Sequence, residues 1–343
     1  MDRSDDSKED RLQDRIRGGR PMLWFLVDGN RAAVALLMLG AVYVLLIVLG
    51  EFAPGSIRNI FDRASVAGLF TPLVIAIVMG VSIVLTFNQM ILSRELGPLG
   101  EQRERMSEAL TFREDAEEAV EGGTSPPEPS LFLRGLVDAT REPANRLVEA
   151  VSGVEESVRT DVTEYGEDVL EDAERVSAAL EGEQFGGFAV VREALNFNYS
   201  WKIYAGRRLR NDHRDALPPE AREALDDLLS VLEFFGPARE HFKTLYFRWE
   251  IINVSRALVY TALPALVVAA YMLLVFEPDP IAGTTAGLNH SLLFIGVAFA
   301  VCATPFVIFL AYILRVVTVA KWTLAIGPFI LRETQRGSDL DWE

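Results

Sequence analysis

At 343 residues, half of them hydrophobic and 24% charged, the chain is long enough for a membrane unit and one soluble domain, and must keep the two kinds of sequence apart. Its net charge of −16 argues against nucleic acid as a partner. A single cysteine, Cys302, excludes an intrachain disulfide, and no base beside it suggests catalysis.

Residues 1–31 begin polar and mixed in charge and close on Arg15, Arg17 and Arg20, which predicts a tail ending in an interfacial segment. Ala32 to Gly50 is uncharged and predicts a first span over 32–50. Its apolar core is too long for a signal peptide and no small-residue cleavage site follows. After a connector holding Pro54-Gly55, the uncharged run Ala64 to Ser93 predicts a second span over 66–88. Two spans joined by so short a connector form an antiparallel hairpin, residues 32–93.

The character then changes. Between Arg94 and Glu250 there are 34 Asp or Glu against 19 Lys or Arg, a net of −15, and the whole chain holds only four lysines. Such a surface resembles the salt-adapted proteins of halophiles, where screening removes most self-repulsion. Arg94-Glu-Leu-Gly-Pro98 predicts a kink, Glu101–Val120 a charged helix, and Glu121–Pro129 a linker. Ser130 is the expected N-cap of one long helix. Along it Leu147, Val151, Val154, Val158, Val162, Tyr165, Val169, Ala173, Val176 and Leu180 recur every three or four residues, eleven residues to three turns. This helix-association stripe is either a face packed within its own domain or a seam between subunits of a homo-oligomer. Glu156 and Asp168, interleaved with it, are expected to matter little.

Gly182 to Gly187 ends that helix, and Phe188–Leu209 predicts another. Lys202, Arg207, Arg208, Arg210 and Arg214, less Asp212, make a +4 patch beside Trp201 and Tyr204. Three fates suit it: stacking on RNA, lying on anionic lipid or a protein partner, or pairing with acidic helices of its own domain. Leu217-Pro-Pro219 starts a further helix, and Gly236-Pro237 is expected to break it.

A helix without Gly or Pro from Ala238 to Pro264 then enters a third span, 254–276. The 20 uncharged residues from Ala257 to Phe276 match the ~20 that a helix needs for a hydrocarbon core of ~30 Å. Arg248, Arg256, Tyr246 and Trp249 mark its entry. Glu277-Pro-Asp-Pro280 breaks it, and a fourth span over 291–314 completes a second hairpin, residues 251–319. Val316–Leu331, with Lys321-Trp322, reads as an interfacial stretch leading into the tail of 320–343.

The basic residues Arg15, Arg17, Arg20, Arg31, Arg94, Arg103, Arg105, Arg239, Lys243, Arg248, Lys321 and Arg332 flank one side of the spans. The opposite connectors hold Arg58 and Arg63 in one case and none in the other. By the positive-inside rule both termini and residues 94–250 are cytoplasmic, and the protein is a multi-pass component of the cell membrane. Asn88, Gln89, Asn253, Arg256 and Arg315 fall at the inner boundary, as a polar vestibule or as snorkelling and packing groups. His213, His241 and His290 are scattered, and neither a phosphate-binding loop nor a nucleophile elbow is present. No metal, cofactor or catalytic residue is expected.

Two spans, a large helical insertion and two more spans resemble the layout of bestrophin-type anion channels, in topology alone. Taken whole, with Phe87-Asn-Gln-Met-Ile-Leu-Ser-Arg-Glu-Leu-Gly-Pro98 and Trp249-Glu-Ile-Ile-Asn-Val-Ser-Arg256, the chain resembles the multi-pass membrane proteins of halophilic archaea. The expectation is an all-α, four-span protein with an acidic helical cytoplasmic domain. It would serve as a membrane-anchored scaffold or signalling protein binding a cytoplasmic protein partner. The alternative is an oligomeric ion channel or small-solute transporter.

Overall fold

The computed structural model describes residues 19–52, 63–120, 123–183, 188–277, 281, 283–285 and 287–322. The expected tail of 1–18, the connector at 53–62 and the end of the chain from 323 lie outside these residues. The described elements are α1 (Gly19–Leu23), a π-helical segment (Trp24–Asp28), α2 (Arg31–Glu51), α3 (Arg63–Glu95) and α4 (Leu99–Ala119). They continue with α5 (Pro129–Ala139), α6 (Arg141–Ala150), α7 (Glu156–Leu180), α8 (Phe188–Asn196), α9 (Tyr199–Asp212) and α10 (Pro219–Leu274). Last come β1 (Thr284–Thr285), β2 (Leu288–Asn289) and α11 (His290–Trp322). Apart from the two short antiparallel strands, the described fold is all-α. The chain divides into two units: 1–23, 97–247 and 320–343 in one, 24–96 and 248–319 in the other.

The helical unit is organised on α7, which packs on α5, α6, α8 and α9. The eleven-residue repeat explains why. Val158, Val162, Tyr165, Val169, Ala173, Val176 and Leu180 all point into one core with Leu133 and Val137 of α5 and Leu225, Leu228 and Phe235 of α10. The repeat does not lie on one helix. Val151 closes α6, and the turn holding Ser152-Gly153 re-aims the chain before α7. Leu147 and Val151 are buried in the same core nonetheless, and Val154 packs against it.

Four further boundaries differ from expectation, each for a local reason. Pro129, not Ser130, opens α5, since proline's missing N–H costs nothing in a first turn, and Ser130 is buried. The expected helix over 188–209 is two, because Asn198 accepts from Trp201 N and starts α9 afresh. Gly236-Pro237 does not break α10, which runs 56 residues from the helical unit's core into the third apolar segment. The glycine there serves packing: a Cβ on Gly236 would lie 2.7 Å from Cε2 of Tyr199. Finally, Val316–Trp322 continues α11 instead of forming a separate interfacial stretch.

Four helices are long and apolar enough to cross a membrane: Arg31–Glu51, Ala64–Met90, the C-terminal part of α10, and His290–Lys321. Within their unit, α2 packs on α11 through Val34, Ala35, Val307 and Ala311. A second cluster joins Val66 and Phe70 of α3, Ala265, Ala269 and Met272 of α10, and Ile295 and Cys302 of α11. The apolar part of α11 is more buried among its neighbours than that of α2, α3 or α10, so α11 is the hub.

Candidate functional site

Three buried charged groups of the apolar unit, Arg31, Glu250 and Arg315, gather at one end. The π-helical segment ends at Asp28 before α2 begins, and a helix end leaves its last backbone carbonyls unpaired. Gly29 closes the segment by donating to Trp24 O at 2.7 Å, and a Cβ at Gly29 would lie 2.6 Å from that same oxygen. Asn30 caps α2 by accepting from Ala32 N. Arg31, 4% exposed, folds back over the stranded carbonyls. It donates to Gly29 O at 2.9 and 2.6 Å, to Val27 O at 3.3 Å, and across to Ala311 O of α11 at 3.2 Å.

Arg315 of α11 completes the cluster. Its Nη2 donates to Gly29 O at 2.6 Å and its Nη1 to Oε1 of Glu250, on α10, at 3.1 Å. Arg315 and Glu250 are both buried, and neither Nε of Arg315 nor Oε2 of Glu250 has a hydrogen-bond partner among the described residues. Buried charge at the edge of an apolar unit is costly unless paired, so this cluster ties three elements together at one level.

Of the five residues expected in a polar band, Arg315 alone joins the cluster. Asn88 accepts from Ser255 Oγ at 3.1 Å, a hydrogen bond of the kind that fixes helix packing. Gln89 and Arg256 are exposed, and Asn253 half-buried. Arg31 and Glu250 were not legible as members of a site. Their signal was only a charge within a turn of an apolar run, and such charges usually snorkel.

In the helical unit the basic patch comes apart. Lys202 is 1% exposed, not on a lipid- or partner-facing surface. Its ammonium pairs with Asp168 at 2.6 Å and Asp172 at 2.9 Å, and Tyr165 Oη donates to its carbonyl. Burial alone would lower the Lys202 pKa, but the two carboxylates outweigh it and hold it above the ordinary lysine value. For Asp172 burial works upward, yet Lys202 and Arg175 leave its carboxyl below the usual range. Burial, then Asp168, raises the Tyr165 phenol. Asp168 therefore holds a buried ammonium and is not a neutral spacer. Arg210 pairs with Asp226 at 2.7 Å and Arg208 with Asp212 at 3.2 Å. Arg207 and Arg214 are exposed and have no ion-pair partner among the described residues.

Among the described residues no group of three His, Cys, Asp or Glu is placed to hold a metal ion. A family model described as a family of unknown function, DUF7972, matches residues 1–343. No curated protein and no solved structure matches the chain.

Proposed function

We propose that the chain, which belongs to the DUF7972 family, is a membrane-anchored, non-catalytic scaffold or signalling protein of a salt-adapted cell's membrane. In this reading four spans form two hairpins, and both termini and residues 94–250 lie in the cytoplasm. The helical residues there bind a protein partner.

The observation that carries this reading is α10. Its Leu225, Leu228 and Phe235 belong to the core of the helical unit, and its Ala265, Ala269 and Met272 to that of the apolar unit. One uninterrupted helix thus contributes to both. That suits a protein that fixes a soluble helical body to the membrane. Two sets of contacts support antiparallel spans. At one end Gly29, Glu250 and Arg315 meet, and at the other Asn289 N donates to Glu51 Oε1 at 2.8 Å.

The buried Arg31–Arg315–Glu250 cluster favours the second reading, an oligomeric channel or transporter for small ions. Solute flux in liposomes holding the purified protein separates the two: the scaffold gives none. Chloride-dependent current abolished by Arg315→Gln in a folded, inserted protein would replace the scaffold by the channel. Orientation is checked in a Cys302→Ala background with Glu156→Cys or Thr284→Cys, both exposed positions. An impermeant thiol reagent added outside intact cells should label the second and not the first.

A further inference from the structure

The face of α10 turned away from the other apolar helices carries Trp249, Ile252, Arg256, Tyr260, Leu263 and Val267, spaced 3, 4, 4, 3 and 4 residues apart. The opposite face is small: Ala262, Ala265 and Ala269 are buried against α3 and α11. The exposed stripe is apolar except at Arg256, while Trp249 is 50% and Tyr260 69% exposed. Arg256 has no ion-pair partner among the described residues, and the acid nearest it on its own helix, Glu250, is buried against Arg315.

A helix rises 1.5 Å per residue, so Arg256 lies about 30 Å along α10 from Phe276, at the opposite edge of the hydrocarbon. There the guanidinium is exposed and has no counter-charge among the described residues. Trp249, about two turns beyond it, belongs among the headgroups, where an indole N–H can donate while the ring lies on apolar chains. This face of α10 therefore presents the donors of one guanidinium and one indole above an exposed apolar strip.

We propose that Arg256, with Trp249 on the same face of α10, forms a binding site for the headgroup of an anionic phospholipid. The phosphate oxygens accept from the forked guanidinium. The acyl chain lies along Tyr260, Leu263 and Val267. A second copy of the chain fits this face poorly, since a two-fold contact would set one Arg256 against the other where charge is least screened. The proposal needs only that α10 crosses the membrane, and it stands or falls apart from the scaffold reading.

The test uses the full-length protein in vesicles. Trp249 is kept as the only tryptophan, with Trp24, Trp201, Trp322 and Trp342 changed to Phe, and its fluorescence is quenched by brominated lipid. At equal mole fraction, brominated phosphatidylglycerol should win contact with Trp249 over brominated phosphatidylcholine by about fivefold, the equivalent of ~1 kcal/mol for one cation at an anionic surface. Arg256→Gln should bring the ratio to about one and Arg256→Lys keep part of it. Equal quenching by both lipids in the parent protein overturns the proposal. Absence of quenching by either does so as well, by placing protein on this face. Should the four-fold Phe variant not fold, native mass spectrometry of the otherwise unaltered chain decides. Arg256→Gln should then lose one retained anionic lipid, and an unchanged lipid count overturns the site.

Discussion

At the scale of single residues, the helical unit's least replaceable polar group is Lys202. An ammonium buried this deeply is tolerable only while both carboxylates face it. Asp168→Ala removes one of them and should cost about 1–3 kcal/mol in a thermal melt of the protein. Glu156→Ala, at a position 88% exposed in its side chain, should stay within about 0.5 kcal/mol. Equal losses would mean that Lys202 does not depend on its acids. The pH dependence follows from the two directions of shift. Asp172, depressed on folding, contributes stability that is complete above the unfolded aspartate pKa of about 3.9 and is lost as acid carries pH through its lower folded value. Lys202, raised on folding, contributes below about 10.4 and loses that contribution as pH rises beyond it. Between these limits neither group adds a pH dependence to the melting temperature. Lys202→Met, which removes the ammonium and keeps the volume, should reduce the alkaline limb to the part due to Tyr165, whose raised phenol also costs stability above about 10.

At the scale of elements, α10 sets the sharpest test, because adjacent residues predict opposite signs. Pro237 lies inside a continuous helix and lacks the N–H that would bond the carbonyl four residues back. Pro237→Ala restores that donor and should raise stability by about 1–3 kcal/mol. Gly236→Ala also improves helix propensity, but its methyl must displace the Tyr199 ring that Arg239 covers at 4.6 Å. It should lower stability by about 1–3 kcal/mol, as overpacking does. A helix truly broken at 236–237 would show neither effect in denaturant unfolding.

At the scale of the whole molecule, charge is concentrated where residues 94–250 carry a net of −15. The ion pairs on that unit are mostly exposed and individually weak, as with Arg146–Asp227 and Arg208–Asp212. Uncompensated repulsion among the remaining acids should therefore govern its response to salt. The melting temperature is expected to climb from 0.1 M potassium chloride and level off near 1 M, where the screening length is about 3 Å. A melting temperature that falls with salt would show that the exposed pairs, not the repulsion, dominate. It would also remove the argument for salt adaptation.

Much of the organisation was legible in the residues because it rests on local chemistry. The four apolar runs, the acidic helical insertion and the eleven-residue repeat depend only on which side chains avoid water and at what spacing, and the helices follow them to within a few residues. Where a helix stops is less local. Ser152-Gly153 breaks one and Gly236-Pro237 does not, and nothing in either dipeptide tells them apart. The second is held by Tyr199, 37 residues away in sequence. Partnership of charges was least legible of all. Lys202 and Arg207 look alike in the chain, yet one is sealed against Asp168 and Asp172 and the other is exposed. Likewise Arg31, Glu250 and Arg315 meet across 284 residues of sequence. Hydrophobic periodicity is a property of one element, whereas the pairing of a buried charge exists only once separate elements have met.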